Sequence, residues 1–182
     1  MSSPPKRHPT LGCCGLDCGL CPRYYTKGDS RCPGCNGHDF SRKHPSCSIL
    51  TCCHKKQGLE CCGECKQFPC DKIKPWASGD SFISHKVCLE NLGWVQQNGV
   101  ETFVANQQER IELLRHMIDQ FDDGRSKNLF CLAAALLPPK EIEGAIKKAV
   151  VDFSEKTLQA KKLKALLDEI AHGLGIELKL RK

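Results

Sequence analysis

The sequence predicts a mainly α protein in two parts: a small, irregular, cysteine-rich module stapled by metal, followed by an all-α helical domain. Three observations lead there. Fifteen of the 182 residues are cysteine, and fourteen of those lie between Cys13 and Cys88. Leu11 to Lys74 is dense in Cys, Gly and Pro and short of hydrophobic periodicity, so burial alone gives it little core and metal ligation is the usual substitute. From His85 onward, apolar residues recur at steps of three and four, the period of helices packed on one face. The expected division is a flexible arm over 1–10, a metal-binding module over 11–74, a linker over 75–84 and a helical domain over 85–182.

Each element has its own grounds. Met1 to Thr10 holds three prolines and no apolar pattern, which reads as an arm. Pro75-Trp-Ala-Ser-Gly-Asp80 reads as a hinge. His85 to Gln97 places Cys88, Leu92 and Val95 on one helical face, and Gly99 ends it. Val100, Phe103, Val104, Gln107, Ile111, Leu114, Ile118 and Phe121 then mark the clearest helix, closed by Asp122-Asp123-Gly124. Leu129 to Leu137 is apolar all round, which predicts a central buried helix. Pro139 suits the first turn of the next helix, with Ile142, Ala145, Ile146, Ala149, Val150 and Phe153 on one stripe. Ser154 is the expected N-cap of a last helix that turns Leu163, Leu166, Leu167, Ile170 and Leu174 inward. Ile176 to Leu180 alternates and is expected to lie extended.

Composition limits the function classes. With 40% hydrophobic residues the chain can build an ordinary core. Its longest apolar run, Leu129 to Leu137, is half the length a membrane span requires, so no membrane role is expected. The first ten residues lack the apolar stretch of a secretory signal, and the expected location is cytoplasmic. In such a reducing compartment disulfides do not persist, which leaves metal as the reason for so many thiols. The net charge of +6 is uneven: residues 1–79 hold twelve Lys and Arg against six Asp and Glu, and residues 80–182 hold fifteen against fifteen. A divalent ion on four thiolates contributes −2, so two such sites bring the charge to about +2. The excess is read first as counter-charge to thiolates and second as a nucleic-acid footprint.

The cysteines fall into groups with ligand spacing. These are Cys14, Cys18 and Cys21; Cys32 and Cys35; Cys47 and Cys52; and Cys62, Cys65 and Cys70. Two residues between ligands let the chain curl round one ion. Cys32, Cys35, Cys47 and Cys52 form the expected first quartet, with Zn–S distances of about 2.3 Å. Cys14, Cys18, Cys21, Cys62, Cys65 and Cys70 are expected to supply a second site; being six, they leave either two spectators or a cluster. Zinc is the expected metal and a 4Fe-4S cluster the alternative, since thiolates serve both. Cys13, Cys53 and Cys61 adjoin better-placed cysteines and are read as spare thiols. Cys88 and Cys131 are read as core residues. His8, His38, His44 and His54 are possible substitutes for a thiolate where cysteines already suffice. The Cys14-x3-Cys18-x2-Cys21 spacing matches a radical-SAM cluster motif, but the chain lacks that barrel's length and βα alternation. No nucleotide-binding glycine loop, Ser/His/Asp set or paired carboxylates can be argued from spacing, so no catalytic residue is singled out.

In Cys14-Gly-Leu-Asp-Cys18-Gly-Leu-Cys21, Cys32-Pro-Gly-Cys35 and Cys62-Gly-Glu-Cys65-Lys-Gln-Phe-Pro-Cys70 the sequence resembles the prokaryotic cysteine-rich family catalogued as domain of unknown function 3795. The resemblance covers about residues 11–75. It implies an anaerobic bacterial or archaeal setting, which favours iron–sulfur, and it implies no reaction. The expected function is therefore a thiolate metal module that acts structurally and as an interaction surface for a protein partner. The alternatives are an iron–sulfur protein for electron transfer or redox sensing, and a nucleic-acid-binding zinc module. Lys55-Lys56 and Arg42-Lys43 have only Phe40 and His44 as nearby stacking partners, which reads as a solvated basic loop.

Overall fold

The computed structural model describes residues 4–151 and 155–181. Met1 to Ser3 of the expected arm, Phe153 and the expected cap Ser154 lie outside the described residues. Five helices carry most of the ordered chain: α1 Cys88–Asn98, α2 Val100–Phe121, α3 Lys127–Leu136, α4 Pro139–Val151 and α5 Lys156–Gly173. Among the described residues no strand forms, and one isolated antiparallel bridge joins Leu11 to Asp17. The fold is mainly α, with an irregular cysteine-rich segment ahead of the long helices.

The chain divides into two compact units, Met1–Gln107 with Arg181–Lys182, and Gln108–Leu180. The division falls inside α2, while the segment expected as a hinge, 75–84, lies within the first unit. There, Ile73–Trp76 is helical and Ile83, Ser84 and His85 are buried.

In the second unit, α4 and α5 pack together and α3 packs against both. Phe130, Cys131, Ala133, Ala134 and Leu137 are fully buried, as an all-round apolar helix requires. Ile142, Ala145 and Ala149 face inward from α4, and Ala160, Leu163, Leu167 and Ala171 from α5. Val150 and Leu174, expected inward, are exposed. Val150 is one residue round the helix from the buried Ala149, and Leu174 follows the last helical residue, so the helical period no longer places it. Arg110 Nη1 donates to the carbonyls of Ala134 and Leu137, satisfying orphan acceptors at the C-terminal end of α3.

The first unit has a hydrophobic core of its own, which corrects the expectation that the cysteine-rich segment lacks one. Leu11, Ile49, Leu50 and Ile73 pack with Leu92, Val95 and Val100 from α1 and α2, and Cys13, Cys14, Cys53 and Cys61 are buried in the same cluster. Thiols act here as small hydrophobes, and the helices complete what the segment cannot bury alone. Close approach depends on glycine: a Cβ on Gly63 would meet the Leu92 carbonyl oxygen at 2.5 Å.

Pro4 to Thr10 is docked rather than loose. Asn36 Nδ2 donates to the Pro4 carbonyl at 2.9 Å, and the Cys35 amide donates to the Pro9 carbonyl at 2.8 Å. Prolines bring no amide donors of their own to satisfy, and their fixed φ lowers the cost of ordering. The amides of Arg7 and His8 donate to the buried Glu60 carboxylate at 3.2 and 3.1 Å. Replacing Glu60 with alanine is expected to cost about 2–3 kcal/mol, because two amides lose a charged acceptor. It should also speed tryptic cleavage after Lys6 and Arg7 in a limited-proteolysis time course; an unchanged rate would show that Glu60 does not hold the segment.

Candidate metal centre

All fifteen cysteines are free. The segment that carries the motifs is built from short turns. Cys18–Leu20, Gly28–Ser30 and Cys62–Glu64 are single 3-10 turns, and Ser48–Leu50 runs on into a π-helix over Thr51–Lys56. Such turns leave sulfurs and backbone amides pointing at one another. The Cys13 amide donates to Cys35 Sγ at 3.4 Å, and the Leu50 amide to Cys47 Sγ at 3.4 Å.

One chain of thiols runs Cys35, Cys13, Cys53, Cys62. The Cys13 and Cys53 thiols donate to the carbonyls of Glu60 and Leu59, each at 3.7 Å, and the neighbouring Cys35 and Cys53 pull the Cys13 thiol well below the ordinary range against the opposing effect of burial. The neighbouring Cys53 also lowers the Cys62 thiol. Cys35 and Cys53 move the other way: both are held up first by Cys13 and then, with Cys62 also acting on Cys53, by burial. Cys14 and Cys88 form a second neighbouring pair, with Cys14 lowered by Cys88 and Cys88 raised by Cys14. The downward shifts thus fall on Cys13, Cys14 and Cys62.

A cation sits among these sulfurs. Lys6 is 5% exposed, and its Nζ donates to the Leu11 carbonyl at 2.5 Å. Burial alone would lower its ammonium, but Cys35, Cys13, Cys18 and Glu60 reverse that and raise it. The buried ammonium thus lies in the shared field of these sulfurs and of the buried Glu60 carboxylate.

The remaining motif cysteines are distributed as follows. Cys18 lies within the field of Cys14, Cys21, Lys6 and Cys32, and burial pushes its thiol far up. Cys21 is raised by burial and next to Cys32. Gln57 bridges Cys52 and Cys65: its Nε2 donates to Cys52 Sγ at 3.7 Å, and Cys65 Sγ donates to its Oε1 at 3.7 Å. Cys70 is partly buried against the core, and its carbonyl accepts from the amides of Ile73 and Lys74. Burial raises Cys61 to about 12, and its sulfur caps the Cys62–Glu64 turn.

The structure thus brings Cys35 of the expected quartet to Cys62 of the expected second group through Cys13 and Cys53. Cys32 is near Cys21 and Cys18, and Cys47 and Cys52 have separate partners. Cys13 and Cys53, read as spare, stand at the centre of the longest thiol contact. Cys131 is a core residue; Cys88 is fully buried as expected, but it also lies beside Cys14. The four histidines are engaged elsewhere: His8 with Glu101, His38 with Asp39, His44 stacked on Phe40, and His54 with the carbonyls of Leu59 and Pro4. Among the described residues no group of three or more His, Cys, Asp or Glu side chains is arranged to hold a metal ion. The donor chemistry fits a thiophilic metal, while the sulfurs meet in pairs and in a chain rather than around a point.

Among the described residues of the second unit, a groove of about 260 Å³ lies between α4 and α5, lined by Ala145, Leu166 and Ile170 with Glu141, Glu169 and Lys148.

Among known families, residues 10–75 match the one described as "Protein of unknown function (DUF3795)". All ten motif cysteines fall inside the match; Lys6 and Cys88 fall outside it. No curated protein and no solved structure matches the chain.

Proposed function

We propose, taking residues 10–75 as a segment of that family, that the first unit is a metal-binding module that ligates zinc through cysteine thiolates and serves a structural role. The observation that carries this reading is the chain Cys35, Cys13, Cys53, Cys62 with a buried ammonium beside it. A buried ammonium beside grouped sulfurs, together with the buried Glu60 carboxylate, supplies positive charge where metal thiolates would need it. The candidate ligands are Cys14, Cys18, Cys21, Cys32, Cys35, Cys47, Cys52, Cys62, Cys65 and Cys70, to which the contacts add Cys13 and Cys53. When bound, zinc would replace thiol protons and cross-link turns that have little secondary structure of their own.

The rival reading is an iron–sulfur cluster, which the surplus of thiols over one tetrahedral ion favours. Elemental analysis and colour separate the two. Anaerobically prepared protein is expected to be colourless with stoichiometric zinc; a brown sample carrying iron and sulfide would replace zinc with a cluster, and a metal-free, fully folded protein would end both readings. Replacing Cys35 with alanine is expected to remove the ion of its site, while Cys131→Ala keeps full metal content. Full metal retention in Cys35→Ala would take Cys35 out of the ligand set.

A further inference from the structure

We infer that the loop between Cys21 and Cys32, together with Phe82, forms a binding surface for single-stranded nucleic acid. The ten residues Pro22 to Arg31 hold three cations, Arg23, Lys27 and Arg31, two tyrosines and one carboxylate, Asp29. The cations are set on rings. The Arg23 guanidinium lies 5.3 Å from the centroid of Phe82, and that of Arg31 lies 5.0 Å from the centroid of Tyr24. Tyr24 and Tyr25 meet edge to face at 5.6 Å. The loop is anchored rather than slack. Tyr25 Oη donates to the Gly19 carbonyl, Arg31 Nε to the Tyr24 carbonyl and the Cys32 amide to the Arg23 carbonyl.

Phe82 is the feature that packing does not explain. It is 62% exposed, the most exposed large hydrophobic among the described residues, and its observed ring partner is a cation. A guanidinium on one face leaves the other face to water, and a nucleobase is the ligand that stacks there while its phosphate meets the arginine. A duplex keeps its base faces stacked inside and presents only phosphate, so the surface selects single strands. An acidic protein would use the three cations but leave the rings unused. Arg42, Lys43, Lys55 and Lys56 are a different case, because Phe40 is already stacked on His44 at 4.5 Å.

The inference does not depend on the metal reading, although Cys21 and Cys32 flank the loop. The test is fluorescence anisotropy on the full chain at measured metal content. The probes are labelled oligothymidylate and oligouridylate of about twelve nucleotides, within the usual site size, and a duplex of the same length. Both single strands are expected to bind, and the tighter one identifies the chemistry of the strand, DNA or RNA. The duplex should bind at least about tenfold more weakly. Three phosphate contacts predict an affinity that falls about twentyfold between 50 and 200 mM salt. Phe82→Ala should lose about tenfold in affinity with the salt slope unchanged, and Arg23→Ala should flatten the slope. Because Phe82 is exposed, its substitution leaves folding intact, which circular dichroism would confirm. The inference is overturned by no single-strand binding at 50 mM salt, by equal affinity for duplex, by wild-type binding in Phe82→Ala, or by polyglutamate displacing the strand at equal charge. Metal-free protein that still binds strands would leave this surface standing and remove the metal reading; metal-loaded protein that binds none would do the reverse.

Discussion

Gly15→Ala is expected to destabilise the first unit by about 2–5 kcal/mol. Gly15 sits at φ +81°, in the left-handed region that an L side chain enters only at a cost. Its ideal Cβ would also meet the Cys88 carbonyl oxygen at 2.3 Å and Leu92 Cγ at 2.7 Å. Neither neighbour can yield easily, since Cys88 opens α1 and Leu92 is fully buried in the shared core. Relief requires α1 to move away from the motif that contains Cys14 and Cys18, and the Cys14–Cys88 contact would be lost with it. Denaturant titration measures the loss. Thiol labelling mapped by mass spectrometry should show Cys14 and Cys88 reacting earlier than in the wild type. Gly93→Ala is the matched control: it lies inside α1 with nothing within 4 Å of its Cβ and is expected to gain about 0.5–1 kcal/mol from helix propensity. Equal effects from the two substitutions would refute the close approach at Gly15.

Phe130→Ala is expected to cost about 3–5 kcal/mol in the second unit. Phe130 is fully buried on a helix whose neighbours Cys131, Ala133 and Ala134 are small and equally buried. Small neighbours on a packed helix cannot collapse into the space a lost ring leaves, so the cavity term stays large. The loss would be a large share of the about 5–15 kcal/mol by which domains are stable. Phe130→Leu, which keeps most of the volume, should cost far less. Guanidinium titration decides the matter, and a loss below about 1 kcal/mol for the alanine variant would be incompatible with a core position.

The helices were legible because local rules decide them. α2 runs from Val100 to Phe121, the limits that apolar spacing, Gly99 and Asp122-Asp123-Gly124 mark. α3 follows the unbroken apolar run, and Pro139 opens α4. What the sequence did not disclose depends on partners far along the chain. The 75–84 segment reads as a hinge from its Pro, Ser and Gly, yet Asp80, with a fully buried side chain, accepts from the Arg181 amide and guanidinium 101 residues away and from the His85 amide. Burial alone would raise the Asp80 carboxyl, but these donors hold it well below the usual range. The docked arm is legible only once Glu60 and Asn36 are seen to meet it. Among the cysteines, the sequence read Cys13 as a spare thiol beside Cys14, and spacing carried no sign of its contacts with Cys35 and Cys53. Neighbouring side chains diverge, so Cys13 turns to Cys35 and Cys53 while Cys14 turns to Cys88. Helical periodicity placed Cys88 in the core but carried no sign of that thiol contact.

The position of Lys6 bears on how this protein can be taken apart. A fragment cut to the limits of the family match, residues 10–75, would discard the buried ammonium beside the sulfurs and also the apolar side chains of Leu92, Val95 and Val100. Such a peptide would carry every motif cysteine and still lack both the buried cation and the greasy lid that those cysteines pack beneath. The shortest autonomous piece therefore has to begin ahead of the motif and extend through the first turns of the long helix.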